Sequence, residues 1–108
     1  MLRKIEAFLT PSKLDSLRDF LVSKGVEGMS VLHAEGFGAR SVKKDGKPQL
    51  EKKIKVEIVV GEDRVEDILS GIKSLAAGSS IGSGMVFVVP VEDAVRLSTR
   101  EVGKSAIV

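Results

Sequence analysis

Apolar residues along this chain either alternate or recur at helical spacing, and the two rhythms succeed one another. Leu2 to Leu9 reads as a first strand. Thr10-Pro11 then predicts an N-cap followed by proline at the first helical position, where a missing N–H costs nothing. Leu14, Leu17 and Leu21 follow at helical spacing, and Gly25 supplies a stop. Met29 to Glu35 predicts a second strand. In the run Lys53 to Val60, Ile54, Val56, Ile58 and Val60 share one face of a third. Val65, Ile68, Leu69, Ile72, Leu75 and Ala76 form the stripe of a second helix over Glu62 to Ala77. Gly78 to Gly84 is a glycine-rich turn, Met85 to Val91 a fourth strand, and Val95 to Ser98 one more short strand.

The order βαββαβ, within a single domain of residues 1–108, predicts an α+β, ferredoxin-like subunit with a four-stranded antiparallel sheet. Two helices cover only one face of such a sheet. Yet VFVVPV, residues 86 to 91, is apolar at odd and even positions alike, whereas an antiparallel sheet with one wet face alternates. Either a second copy of the chain covers the other face or that face is left apolar in water.

Charge adds one feature. The net charge is only +2, but Gly36 to Lys55 holds seven basic residues (Arg40, Lys43, Lys44, Lys47, Lys52, Lys53 and Lys55) against Asp45 and Glu51. This cationic loop has few apolar anchors and is expected to be poorly structured, mobile without ligand and ordered by one. It suits an anionic ligand or an acidic partner surface. The chain has no Cys and one His, His33, which removes disulfides and any Cys/His metal site within one subunit. The opening MLRKIEAFLT is too short an apolar run for a secretory leader, and no stretch approaches a membrane span, so a cytoplasmic protein without direct membrane insertion is expected.

Candidate chemistry is sparse. The clusters GFG (36–38) and GSSIGSG (78–84) read either as ordinary turns or as backbone nests for an anion; neither fits a Walker or Rossmann pattern. Ser79, Ser80 and Ser83 have no base nearby in sequence, and His33, Glu6 and Glu57 stand without a catalytic partner. No catalytic residue is expected, and the chain is read as not an enzyme. The four Phe are not grouped for base stacking, so nucleic acid is not expected as a partner.

The segments KIEAFLTPSKLDSLRDFL, GVEGMSVLHAEGFGAR, KIKVEIVVGEDRVEDIL, IGSGMVFVVPVEDAVRLSTRE and SAIV together resemble the PII signal-transduction proteins over nearly the full length. The resemblance implies a homotrimer with sheets turned inward and an adenine nucleotide (ADP, AMP or ATP) in each cleft between subunits. It makes residues 36–53 a T-loop that reads out ligand state and docks on partners. Residues 78–84 become a B-loop and 96–108 the C-terminal segment. Gly28, Met29 and Ser30 match the segment lining the adenine, with Glu57 and Val59 beside the base. Gly36, Phe37, Gly38, Ala39 and Arg40 match the base of the T-loop near the phosphates. Gly82, Ser83, Gly84 and Met85 match the phosphate-cradling B-loop and its following residue. Arg96 and Ser98 match two positions that reach across the subunit boundary.

Several of these positions depart from the family pattern. Met85 and Ser98 stand where cations are usual, Ser80 replaces a basic residue and Ser83 an acidic one. Arg40 stands where a glutamine helps hold magnesium and 2-oxoglutarate; a guanidinium has no lone pair to give a metal. Magnesium held by the protein is therefore not expected. The loop is shorter than usual and the chain has no Tyr to modify. Arg40, Lys52 and Lys53 are either a seat for a small anion such as bicarbonate or simply solvated. The expected function is a nucleotide-sensing regulator of a membrane transporter or metabolic enzyme, membrane-associated only through such a partner. The alternative is a constitutive protein-interaction module with a degenerate pocket.

Overall fold

The computed structural model describes residues 1–77 and 84–107. Six strands and two helices follow in order: β1 (Leu2–Leu9), α1 (Leu14–Ser23), β2 (Ser30–Gly36), β3 (Lys43–Lys44), β4 (Lys47–Pro48), β5 (Glu51–Gly61), α2 (Val65–Ala76) and β6 (Met85–Val91). The main sheet has the order β2-β5-β1-β6, with every pair antiparallel. Both helices lie on one face, which is the ferredoxin-like α+β arrangement. Among the described residues no helix is long and apolar enough to cross a membrane.

Alternation decides the two faces. Ile5, Ala7 and Leu9 of β1 and Ile54, Val56, Ile58 and Val60 of β5 point to the helices and are buried. Leu17 and Leu21 of α1 and Ile68 and Ile72 of α2 meet them there, so the helical stripes and the strand alternation close one core. Each helix is entered through a short 3₁₀ turn, Pro11–Lys13 and Glu62–Arg64, so the α-helical part starts later than the sequence spacing suggests. Thr10 occupies the extended position before the first turn but makes no side-chain cap bond. Gly71 of α2 holds the ring of Phe20 from α1 against its bare Cα, in space that a Cβ would occupy.

The opposite face differs from expectation. Apolar groups do stand there: Leu32, Met85 and Phe87 are 45%, 60% and 48% exposed. The centre of the face, however, is ionic. Lys4 and Glu6 of β1 and Lys55 and Glu57 of β5 form a closed ring, with each ammonium 3.1–3.4 Å from both carboxylates. Phe8 and Phe87 meet edge to face at 6.2 Å beside it, and the Lys55 ammonium lies 5.7 Å from the Phe8 ring centre. The alternation of β1 and β5 put these charges outward, and mutual neutralisation lets them share a half-buried surface.

The cationic stretch also differs from expectation. It is a hairpin rather than an irregular loop. Asp45 (φ 54°) and Gly46 (φ 77°) form a tight turn of the two-residue type that suits the right-handed twist of paired strands. Lys43 pairs with Pro48 and Lys44 with Lys47 on either side of it. At the base, the Gly38 N–H donates to the Ser41 hydroxyl (2.8 Å), the Ser41 N–H donates back to the Gly38 carbonyl (3.1 Å), and Ser41 is buried. The fifth strand expected near Val95 is a single bridge, Val95 to Val102, across a turn.

A candidate ligand cleft at the free edge of the sheet

β5 is longer than the strand beside it. The β2–β5 ladder runs from Gly36–Glu51 to Ser30–Glu57, so Ile58 to Gly61 extend past the end of β2. Among the described residues no strand pairs with that side of β5. A cleft of about 370 Å³ opens there, lined by the α1–β2 turn, the overhang of β5 and the C-terminal segment. That volume is in the range of small-ligand sites.

The C-terminal segment is shaped by backbone bonds. Val95 bridges Val102, the Arg96 N–H donates to the Glu101 carbonyl (2.8 Å) and the Arg100 N–H to the Arg96 carbonyl (2.6 Å). The Gly103 N–H then donates to the Ala94 carbonyl at 2.8 Å. Gly103 (φ 61°) turns the chain into a last 3₁₀ turn, Gly103–Ile107, which packs beside β5 with Ala106 buried.

Six residues singled out from the sequence meet in this cleft: Gly28, Met29, Ser30, Glu57, Val59 and Arg96. They come from three distant segments and bring a serine hydroxyl, a strand edge and a guanidinium to one cleft. Glu57 also belongs to the ion ring, bound by Lys4 and Lys55. Sequence reading missed Arg64, Lys104, Ala106 and Ile107, which line the same cleft. For Ala106 and Ile107 the match of the closing SAIV was a signal; Lys104 had none.

The other candidates lie elsewhere. Gly36 ends β2, and Phe37, Gly38, Ala39 and Arg40 form the exposed turn into the hairpin. Met85 opens β6 opposite Phe8 at the β1 end remote from Val59. Gly84 (φ 123°) lies so close to the Phe8 carbonyl that a Cβ would overlap it. Ser98 is exposed in the turn that carries Arg96. Gly82 and Ser83 lie outside the described residues. Lys52 pairs with Glu35 across the ladder, while Lys53 lies 3.9 Å from Glu51. As consecutive strand residues these lysines point to opposite faces, so the structure does not gather Arg40, Lys52 and Lys53 on one side. Among the described residues no group of His, Cys, Asp or Glu is arranged to hold a metal ion.

The electrostatics of the ring are directional. Hydrogen bonds from Lys4 and then Lys55 push the Glu6 carboxyl down to about 2. The bond to Glu6 raises Lys4, and bonds to Glu6 and Glu57 raise Lys55. All three groups hold their charges across the physiological range.

Comparison with known proteins agrees with this architecture. The family described as nitrogen regulatory protein P-II matches residues 2–101. Proteins of that description from Cereibacter sphaeroides, Bradyrhizobium diazoefficiens and Nostoc punctiforme are 35%, 36% and 34% identical to this chain. Each alignment covers 98% of this chain and 100% of the relative. The chain therefore belongs to the nitrogen regulatory protein P-II family, whose members are signal-transduction regulators.

Proposed function

We propose that this protein is a homotrimeric, cytoplasmic regulator that binds adenine nucleotides in the cleft and signals through the hairpin arm, residues 36–53, to a transporter or enzyme. The observation that carries the reading is the meeting of Gly28–Ser30, Glu57, Val59 and Arg96 in one cleft. The base has the free edge of β5 and the Ser30 hydroxyl to hydrogen-bond, and the phosphates have Arg96.

A second observation supports assembly. The remaining predicted contacts, Gly36–Arg40 and Gly84–Met85, do not line that cleft and sit toward the opposite end of the strands. Two half-sites so separated in one chain come together between copies. The exposed Leu32, Met85 and Phe87 around a self-neutralised ion ring make a face that a second copy covers without stranding a charge. The arm suits a partner surface rich in carboxylates, since Lys43, Lys44 and Lys47 surround its turn.

Light scattering and nucleotide titration test this together. We expect about three times the 11.5 kDa subunit mass, and a rise in thermal midpoint with AMP, ADP or ATP but not with guanine nucleotides. A monomer would defeat the shared-site reading. A trimer whose midpoint no nucleotide moves would make the protein a constitutive interaction module.

A further inference from the structure

Lys104 lines the cleft together with Arg96, although no sequence feature marked it. The two cations stand on opposite arms of one turn. The Val95–Val102 bridge and the Arg96–Glu101 backbone bond close that turn, and the bond from Gly103 to Ala94 sets the direction in which Lys104 leaves it. A third cation of the lining, Arg64, is already engaged: its guanidinium donates to the Lys24 carbonyl. Among the described residues, the side chains of Arg96 and Lys104 have no ion pair or hydrogen bond within the protein. Of the carboxylates in the lining, Glu57 is neutralised by Lys4 and Lys55, while Glu27 and Asp63 come from other segments. The cleft therefore holds two uncommitted cations on one turn, and Ser98 on the same turn offers only a hydroxyl.

We propose that Lys104 is a phosphate-binding residue. It acts beside Arg96 and supplies the second positive charge that Ser98 does not. The inference rests on the nucleotide reading above and deepens it: the ligand is a nucleoside phosphate held at its charged end by this chain's own C-terminal segment. Lys104 contributes charge rather than shape, because an ammonium on a flexible stem binds a phosphate as a point charge. A basic replacement preserves that role and a neutral one removes it.

The test is calorimetric binding of ADP, AMP and adenosine to the full-length protein, K104A and K104R at one fixed ionic strength. Lys104 is exposed, so neither substitution disturbs the core. K104A should bind ADP and AMP about five-fold more weakly, with adenosine unchanged and K104R close to the unaltered protein. Equal ADP affinity in K104A and the unaltered protein would overturn the inference while leaving the nucleotide reading intact. An equal loss for adenosine would also overturn it, since the residue would then be shaping the tail rather than meeting a phosphate. Failure of the unaltered protein to bind any adenine nucleotide would remove the nucleotide reading and this inference with it.

Discussion

Glu6 of β1 and Glu57 of β5 are direct cross-strand partners, two carboxylates facing each other on the open side of the sheet. Like charges at that spacing repel. Here Lys4 and Lys55 each reach both carboxylates, so the pair is held by four ionic contacts rather than driven apart.

The ring sets a pH window. Glu6 has its carboxyl depressed in the folded state, from an ordinary 4.5 to about 2. Its contribution is therefore complete above about 4.5 and is lost as pH falls toward 2. Lys4 and Lys55 are raised above 10.5, so theirs is complete below that value and is lost as pH rises through their folded values. Denaturation midpoints measured across pH should show a plateau between these limits. In Glu6→Gln the acid limb should be shallower, and an unchanged limb would mean that the ring does not contribute to acid stability.

The contact between Phe20 and Gly71 gives a packing test. Alanine at 71 would gain helix propensity worth about 1 kcal/mol. Its Cβ would occupy the space of the Phe20 ring, and overpacking costs about 1–3 kcal/mol. We expect Gly71→Ala to destabilise by about 1 kcal/mol in chemical denaturation. In a Phe20→Leu background the same change should be neutral or stabilising. Additive effects in the double-mutant cycle would show that the ring and the glycine do not interact.

The hairpin tip should be separable from the core. Gly46 has φ 77°, which a β-branched residue adopts only with strain, while β3 and β4 give no side chain to the buried cluster. Gly46→Val should abolish amide protection at Lys44 and Lys47 and change global stability by less than about 0.5 kcal/mol. If protection at Val56 fell as far as at the tip, the arm would have to be part of the folding unit.

Arg40 sits in the turn that the Gly38–Ser41 bonds close, at the entry to the arm. Its guanidinium has no lone pair for a metal. Calorimetry with Mg-ATP and 2-oxoglutarate should therefore show no magnesium-dependent heat of 2-oxoglutarate binding. Magnesium-dependent binding would mean that another oxygen ligand completes the site.

Much of the fold was legible because burial imposes a period. Ile54, Val56, Ile58 and Val60 announce their face, and the stripe from Val65 to Ala76 announces its helix. The 3₁₀ entries were hidden because periodicity reports a helix and not its first turn. The hairpin was hidden for another reason: Lys43, Lys44 and Lys47 read as solvated charge and masked the Asp45-Gly46 turn signal. In the site, Ser30 and Glu57 were recognisable from the segments around them. Lys104 was not, since only the folding back of the tail after Gly103 brings it to the cleft.

The four residues by which β5 outruns β2 have one more consequence. A strand edge that can offer its amides to a ligand offers them equally to a strand of any other chain, which is the usual start of aggregation. The tail turn Gly103–Ile107, anchored by buried Ala106, lies beside that edge as its guard. Truncation after Val102 should therefore remove a wall of the cleft and, in the same stroke, release a sticky edge. A shortened protein would self-associate as well as lose that wall, so the same few residues shape the cleft and guard the edge.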